Sequence, residues 1–158
     1  MIRPAQMKDI SRIAEIIVFG KRVAYRPIFQ NDEGSFNDLQ VLNLTESYQS
    51  SPCLIRNMLV YDDGIVKGII NYKNDGEEIE LCDFYVEPFF KGKGIGRKLL
   101  RFLMDDAREK GKKKIFLWVI KDNVSARKFY ELNGFHASGQ EQLIEGTSVL
   151  DVCYERNL

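Results

Sequence analysis

The chain has 158 residues, 44% hydrophobic and 29% charged, which suits one soluble globular domain with a real core. Lysine plus arginine and aspartate plus glutamate number 23 each, so no global field draws the protein onto nucleic acid or a membrane surface. The cysteines, Cys53, Cys82 and Cys153, are scattered without CxxC spacing. That excludes a disulfide framework and a zinc knuckle, and it suits a reducing, cytoplasmic setting. The start of the chain has no signal-type apolar stretch, and the strongest apolar run, 115–120, is too short to span a bilayer.

Ile2-Arg3-Pro4 reads as a short strand closed by its proline. Over 7–23, Ile10, Ile13 and Ile17 with Ala14 and Val18 recur at helical spacing. Arg26-Pro27 should break that helix, Asn31-Asp32-Glu33-Gly34 should turn, and 36–48 should form a second helix. This segment carries Phe19, Tyr25, Phe29, Phe36 and Tyr48, either as helix-packing residues or as a wall of a substrate pocket. An antiparallel meander follows: a strand over 54–61, a turn at Asp62-Asp63-Gly64, a strand over 65–73, a turn at Asn74-Asp75-Gly76, and a strand over 77–86.

The strand over 77–86 runs into Glu87-Pro88 and then Lys91-Gly92-Lys93-Gly94-Ile95-Gly96-Arg97. A helix starts inside this loop, with Ile95, Leu99, Phe102, Leu103 and Ala107 as its apolar face, and Gly111 ends it. Backbone amides free of side-chain bulk at the positive end of a helix make a cradle for a diphosphate. Lys91, Lys93, Arg97, Lys98 and Arg101 make the site locally basic. The glycines recur at every second residue, and Arg97 stands where a dinucleotide-binding GxGxxG needs its last glycine. No GxxxxGK followed by Ser or Thr is present either. The buried-type strand 115–119 then completes a strand–helix–strand crossover and a parallel pair. Asp122-Asn123 caps a short helix over 125–132, Asn133-Gly134 ends it, and 135–140 with 148–156 form a closing hairpin around Glu145-Gly146.

Two motifs together resemble the GNAT family of acetyl-CoA-dependent N-acetyltransferases. The first is Lys91-Gly92-Lys93-Gly94-Ile95-Gly96, where the family has Gln or Arg at the position of Lys91. The second is Asn123-x-x-Ala126-x-x-x-Tyr130-x-x-x-Gly134-Phe135. The resemblance implies one N-acetyltransferase domain over 1–158. Its fold would be mixed α/β: a mostly antiparallel sheet of about six to seven strands, about four helices, one parallel β-α-β crossover and a splayed central strand pair. It implies acetyl-CoA as co-substrate and no metal. Phe84, Tyr85 and Val86 would lend their backbone to the pantetheine arm, with the amide of Val86 or a neighbour polarising the thioester carbonyl. Lys91, Gly92, Lys93, Gly94, Ile95, Gly96 and Arg97 would take the pyrophosphate. Asn123 would hydrogen-bond the pantetheine, Ser125 and Phe129 complete the cofactor set, and Lys93, Arg97 and Lys128 suit the adenosine phosphates.

Acetyl transfer to an amine needs a proton removed from a group of pKa near ~10, an oxyanion stabilised and a proton given to the departing thiolate. The resemblance makes Tyr130 the proton donor. It makes Glu80 the candidate base, acting through a water, with Glu78 and Glu87 as alternatives. His136, the only histidine, reads as a surface residue. The acceptor is a small-molecule or peptide amine, and Asp32, Glu33 and Asp38 could attract a cationic one. A homodimer through the C-terminal strands is compatible with the sequence. The competing reading is a CoA-binding sensor or interaction module that has lost the chemistry.

Overall fold

Seven strands form the sheet in a computed structural model that describes residues 1–158. They are β1 (Ile2–Pro4), β2 (Met58–Asp62), β3 (Val66–Asp75), β4 (Glu78–Val86), β5 (Lys114–Ile120), β6 (His136–Leu143) and β7 (Leu150–Asn157). Their order is β1-β2-β3-β4-β5-β7-β6. The helices are α1 (Ile10–Phe29), α2 (Val41–Ser50), α3 (Ile95–Glu109) and α4 (Val124–Leu132). The β1–β2, β2–β3, β5–β7 and β6–β7 pairs run antiparallel. Only β4 and β5 are parallel, with Glu78–Leu81 opposite Lys114–Leu117. The expected mixed fold and its crossover are therefore present. The register of that parallel pair covers the first half of β4, and Phe84, Tyr85 and Val86 lie beyond it.

The chain divides into two compact units, Met1–Tyr72 with Asp83–Phe102, and Lys73–Cys82 with Leu103–Leu158. In the first, Ile10, Ile13, Ile16 and Ile17 of α1 are buried together with Tyr48 of α2, Met58 and Val60 of β2, and Val66 and Ile69 of β3. In the second, Ile79, Leu81, Leu103, Ala107, Ile115, Leu117, Val152 and Tyr154 are buried. Helix α3 buries Leu100 and Met104 as well as Leu99 and Leu103, while Phe102 stays 42% exposed. The apolar face thus turns away from Phe102.

Four sequence expectations need correction. Helix α1 does not break at Pro27 but runs to Phe29. The proline sits in the last turn, where it costs one hydrogen bond, and the Tyr25 and Phe29 rings, one turn apart, meet edge to face at 6.2 Å. The helix stops instead at Gln30, in the left-handed conformation (φ 50°), whose amide donates to Arg26 O at 2.9 Å. Asn31 does not open a simple turn: its side chain accepts from the Gly34 amide at 2.9 Å, and Gly34–Asp38 winds as a wide helical turn. Arg22 holds that turn by donating from Nε to Ser35 O (2.8 Å) and from Nη2 to Leu39 O (2.9 Å), so α2 begins only at Val41. Finally, Pro52–Ile55 is a single helical turn with proline at its start, and the strand begins at Met58.

One ion triad ties the first unit together. Arg3 bonds Asp9 at 2.7 Å and Asp62 at 2.7 Å. The Arg3 hydrogen bond is the main reason that both carboxyls titrate below the ordinary aspartate range, helped by the Gln6 amide at Asp9 and the Gly64 amide at Asp62. Both groups bind protons less readily folded than unfolded. Their contribution is complete above about pH 5 and is lost as pH falls through the lower folded values. Arg3→Met should therefore flatten the loss of urea-unfolding midpoint between roughly pH 5 and pH 2. An unchanged acid slope in the variant would assign that sensitivity elsewhere.

Candidate active site

The first unit carries the loop. Strand β4 ends at Val86, and the Glu87 amide then donates to Lys67 O at 2.9 Å. The Glu87 carboxylate is buried and paired with Arg12 at 2.9 Å, while Arg12 Nε donates to Val66 O at 3.0 Å. This fixes the strand end against α1. Pro88–Phe90 makes one tight turn, and the ammonium groups of Lys67 and Lys93 lie 4.8 and 5.1 Å from the Phe90 ring centre. Gly92 (φ 78°) and Gly94 (φ 76°) follow in left-handed conformations. A Cβ at either would meet nothing within 4 Å, so backbone conformation and not space demands glycine there. Lys98 N donates to Gly94 O at 3.0 Å, closing the first helical turn. The amides of Ile95, Gly96 and Arg97 precede that bond and have no acceptor inside the helix. Lys91, Lys93, Arg97 and Lys98 are exposed, and none is held by a carboxylate. Left-handed glycines, first-turn amides and unpaired cations together fit a diphosphate.

The same unit holds Phe84, Tyr85 and Val86, all half-buried. The Tyr85 side chain crosses α1 at Gly20, where a Cβ would stand 2.6 Å from Tyr85 Cδ1. Its hydroxyl meets that of Tyr25 at 2.9 Å. Alternation along β4 puts Asp83 on the same face as Tyr85. Asp83 accepts from Asn71 Nδ2 at 3.2 Å; burial, with the Asp83 charge as the lesser cause, pushes the Tyr48 phenol up to about 12. Counting faces from Leu81 separates Asp83 and Tyr85 from Glu80 and Cys82.

Near α1's C-terminal end, Lys21, Tyr25, Phe29, Ser35 and Leu39 line an open cleft of about 190 Å³. Of the aromatics in this stretch, Tyr48 packs in the core, and the Phe19 and Phe36 rings lie against the Arg22 guanidinium. Tyr25 and Phe29 line the cleft. Asp32 is engaged by Arg26 at 2.6 Å and so is no open attractor for a cationic amine.

The second unit carries Glu80, Asn123, Ser125, Phe129 and Tyr130. Glu78 pairs with Lys114 at 3.0 Å, and in the first unit Glu87 pairs with Arg12. Glu80 is half-buried and has no ion pair, which singles it out among the three acids considered. Asn123 caps α4, its Oδ1 accepting from the Ala126 amide at 3.2 Å, which leaves its amide NH₂ to donate. Ser125 and Lys128 are exposed. Tyr130 is half-buried, its ring edge-on to Phe129 (5.6 Å) and Phe135 (5.8 Å). Buried Tyr154 holds the helix that carries it, donating to Glu131 at 2.7 Å and accepting from Arg127 Nε at 3.1 Å. The helix end is fixed by Arg156 donating to Asn133 O. His136 is on the surface, 3.5 Å from Glu155. No group of three or more His, Cys, Asp or Glu side chains is arranged to hold a metal ion, and no helix is long and apolar enough to cross a membrane.

The family model for the acetyltransferase (GNAT) family matches residues 22–135. The L-amino acid N-acyltransferase MnaT of Escherichia coli is 29% identical over 145 residues, covering 88% of this chain and 81% of that protein. An uncharacterized N-acetyltransferase of Methanocaldococcus jannaschii is 31% identical over 70 residues, and the chain there spans 44% of its own length and 30% of the relative's. Among solved structures, PaiA N-acetyltransferase from Thermoplasma acidophilum in complex with coenzyme A superposes with a TM-score of 0.77. It is 22% identical, over 100% of this chain and 98% of that one. The matched span covers both motifs and most of the chain, and the protein belongs to the acetyltransferase (GNAT) family.

Proposed function

We propose that this acetyltransferase moves an acetyl group from acetyl-CoA to a primary amine by direct attack, with residues 1–158 acting as one N-acetyltransferase domain. The observation that carries the reading is the loop of left-handed Gly92 and Gly94 leading into the first turn of α3, among cations that no carboxylate holds. Acetyl-CoA supplies the activated acyl thioester. The loop amides, with Lys91, Lys93 and Arg97, hold its pyrophosphate, and Lys128 adds charge for the adenosine phosphates. Phe84, Tyr85 and Val86 offer backbone groups to the pantetheine, and the β4–β5 register leaves this part of β4 outside the parallel pair. The Val86 amide, or a neighbouring one, polarises the carbonyl. Asn123 donates to the pantetheine from its amide, and Ser125 and Phe129 complete that side. Tyr130 gives its proton to the departing thiolate, and Glu80 takes the amine's proton through a water.

Amine-dependent release of free CoA thiol, measured over a panel of primary amines, tests the transfer. Gly94→Val tests the cradle. It should weaken CoA binding at least about tenfold, because a β-branched residue cannot hold the left-handed backbone. Unchanged CoA binding in this variant would remove the loop from the site.

A further inference from the structure

Helix α4 carries the proposed acid, yet none of its nine side chains is fully buried. A helix this short is not stable by itself, so contacts from outside it decide where its side chains stand. Strand β7 supplies them. Tyr154 is 1% exposed and sits on a strand flanked on both sides, opposite Leu117 of β5 and Ala137 of β6. Its hydroxyl donates to Glu131 Oε1 at 2.7 Å and accepts from Arg127 Nε at 3.1 Å. Arg127 and Glu131 lie one turn apart, so a single oxygen grips two successive turns of one helix face.

The rest of the attachment is of the same kind. The Glu131 side chain is exposed and has no partner besides Tyr154. Arg127 Nη1 donates to Lys121 O at 2.9 Å, which ties the helix to the end of β5. Arg156, two residues along β7 from Tyr154 and on the same face, donates to Asn133 O and covers Gly134, where a Cβ would stand 2.9 Å from its Nη1. Phenylalanine in place of Tyr154 would fill the buried space, but apolar contact lets a helix slide and hydrogen bonds do not. A general acid must come within about 2.6–3.2 Å of the atom that it protonates, so a small slide of α4 would matter at Tyr130.

Resting on the general-acid reading of Tyr130, we infer that the Tyr154 hydroxyl is a positioning group for the reaction. Through Arg127 and Glu131 it fixes the turn of α4 that bears Tyr130, and so sets the reach of the Tyr130 hydroxyl to the departing sulfur. Tyr154 itself touches neither substrate.

The test is a double-mutant cycle read by CoA release, using a panel of primary amines that includes spermidine, phenylalanine and phenethylamine. With the amine that wild type uses fastest, Tyr154→Phe should lower kcat about tenfold, the order of one lost hydrogen bond. KM for acetyl-CoA should change less than about threefold. In a Tyr130→Phe background the same substitution should cost less than about twofold, because no proton donor is left to misplace. Glu131 reads the same cycle from the exposed side, even if Tyr154→Phe fails to fold. Glu131→Leu should repeat the loss and its dependence on Tyr130. Glu131→Gln, whose amide oxygen still accepts from Tyr154, should stay within about twofold of wild type. Equal losses in both backgrounds, or an unchanged kcat in Glu131→Leu, would overturn the inference and leave the acid reading intact. A Tyr130→Phe enzyme as fast as wild type would overturn both, and CoA binding with turnover of no amine would overturn the transferase reading as well.

Discussion

Replacing Tyr130 by phenylalanine should lower kcat by about 100-fold, the lower end of what a positioned general acid contributes. The substitution removes one oxygen. It leaves intact the edge contacts with Phe129 and Phe135, so helix α4 and its cap at Asn123 should not move. CoA affinity by calorimetry should accordingly change less than about twofold. The loss should also depend on the leaving group, because an acid assists a poor leaving group more than a good one. An acyl donor whose thiol has a lower pKa than CoA should recover part of the rate in the variant. A fall of kcat below about threefold would reduce Tyr130 to packing of a short helix. A large fall unaffected by the donor would make its role one of order rather than proton transfer.

The second large effect concerns stability. Arg12→Met should destabilise the protein by about 3 kcal/mol, lowering the melting temperature by roughly 6–12 °C for a chain of this size. The reason is Glu87, 5% exposed, whose carboxylate would remain in a desolvated place after its partner at 2.9 Å is gone. The same change removes the donor to Val66 O, leaving a second polar group with one bond fewer. Adding Glu87→Met to Arg12→Met should restore most of the loss, since the expense lies in the stranded charge and not in the missing attraction. Thermal unfolding of both variants checks this. A single variant within about 1 kcal/mol of wild type would show that water reaches Glu87 and that the pair resembles a surface bridge.

How much of this was legible in the sequence depended on the range of the interactions that decide each element. The α3 helix, β5 and the glycine loop are written in local terms: an apolar stripe, a buried run, and alternate glycines at a helix start. They appear where the periodicity puts them. The stretch between α1 and β2 is decided at longer range. Arg22 reaches 13 and 17 residues along the chain to the carbonyls that shape the turn at Gly34–Asp38, and no local propensity reports such a bond. Pro27 misled because its position in the last turn, rather than its identity, sets its cost. Tyr130 and Asn123 could be named as candidates because two motifs fall in order along the chain. The surroundings of Asp83 could not be read that way, since they come from Asn71 and Tyr48, on a different strand and a helix.

The Arg22 clamp has a practical corollary. The guanidinium grips main-chain oxygens of Ser35 and Leu39, which every amino acid possesses, and its Cζ lies 5.5 and 5.0 Å from the Phe19 and Phe36 ring centres. The fastening is therefore indifferent to most side chains inside the segment it secures. Ser35 and Leu39, which face the cleft, can be randomised while the hinge points stay in place. Sequence change inside this segment should therefore leave its backbone in place, provided that Arg22 and Asn31 are kept.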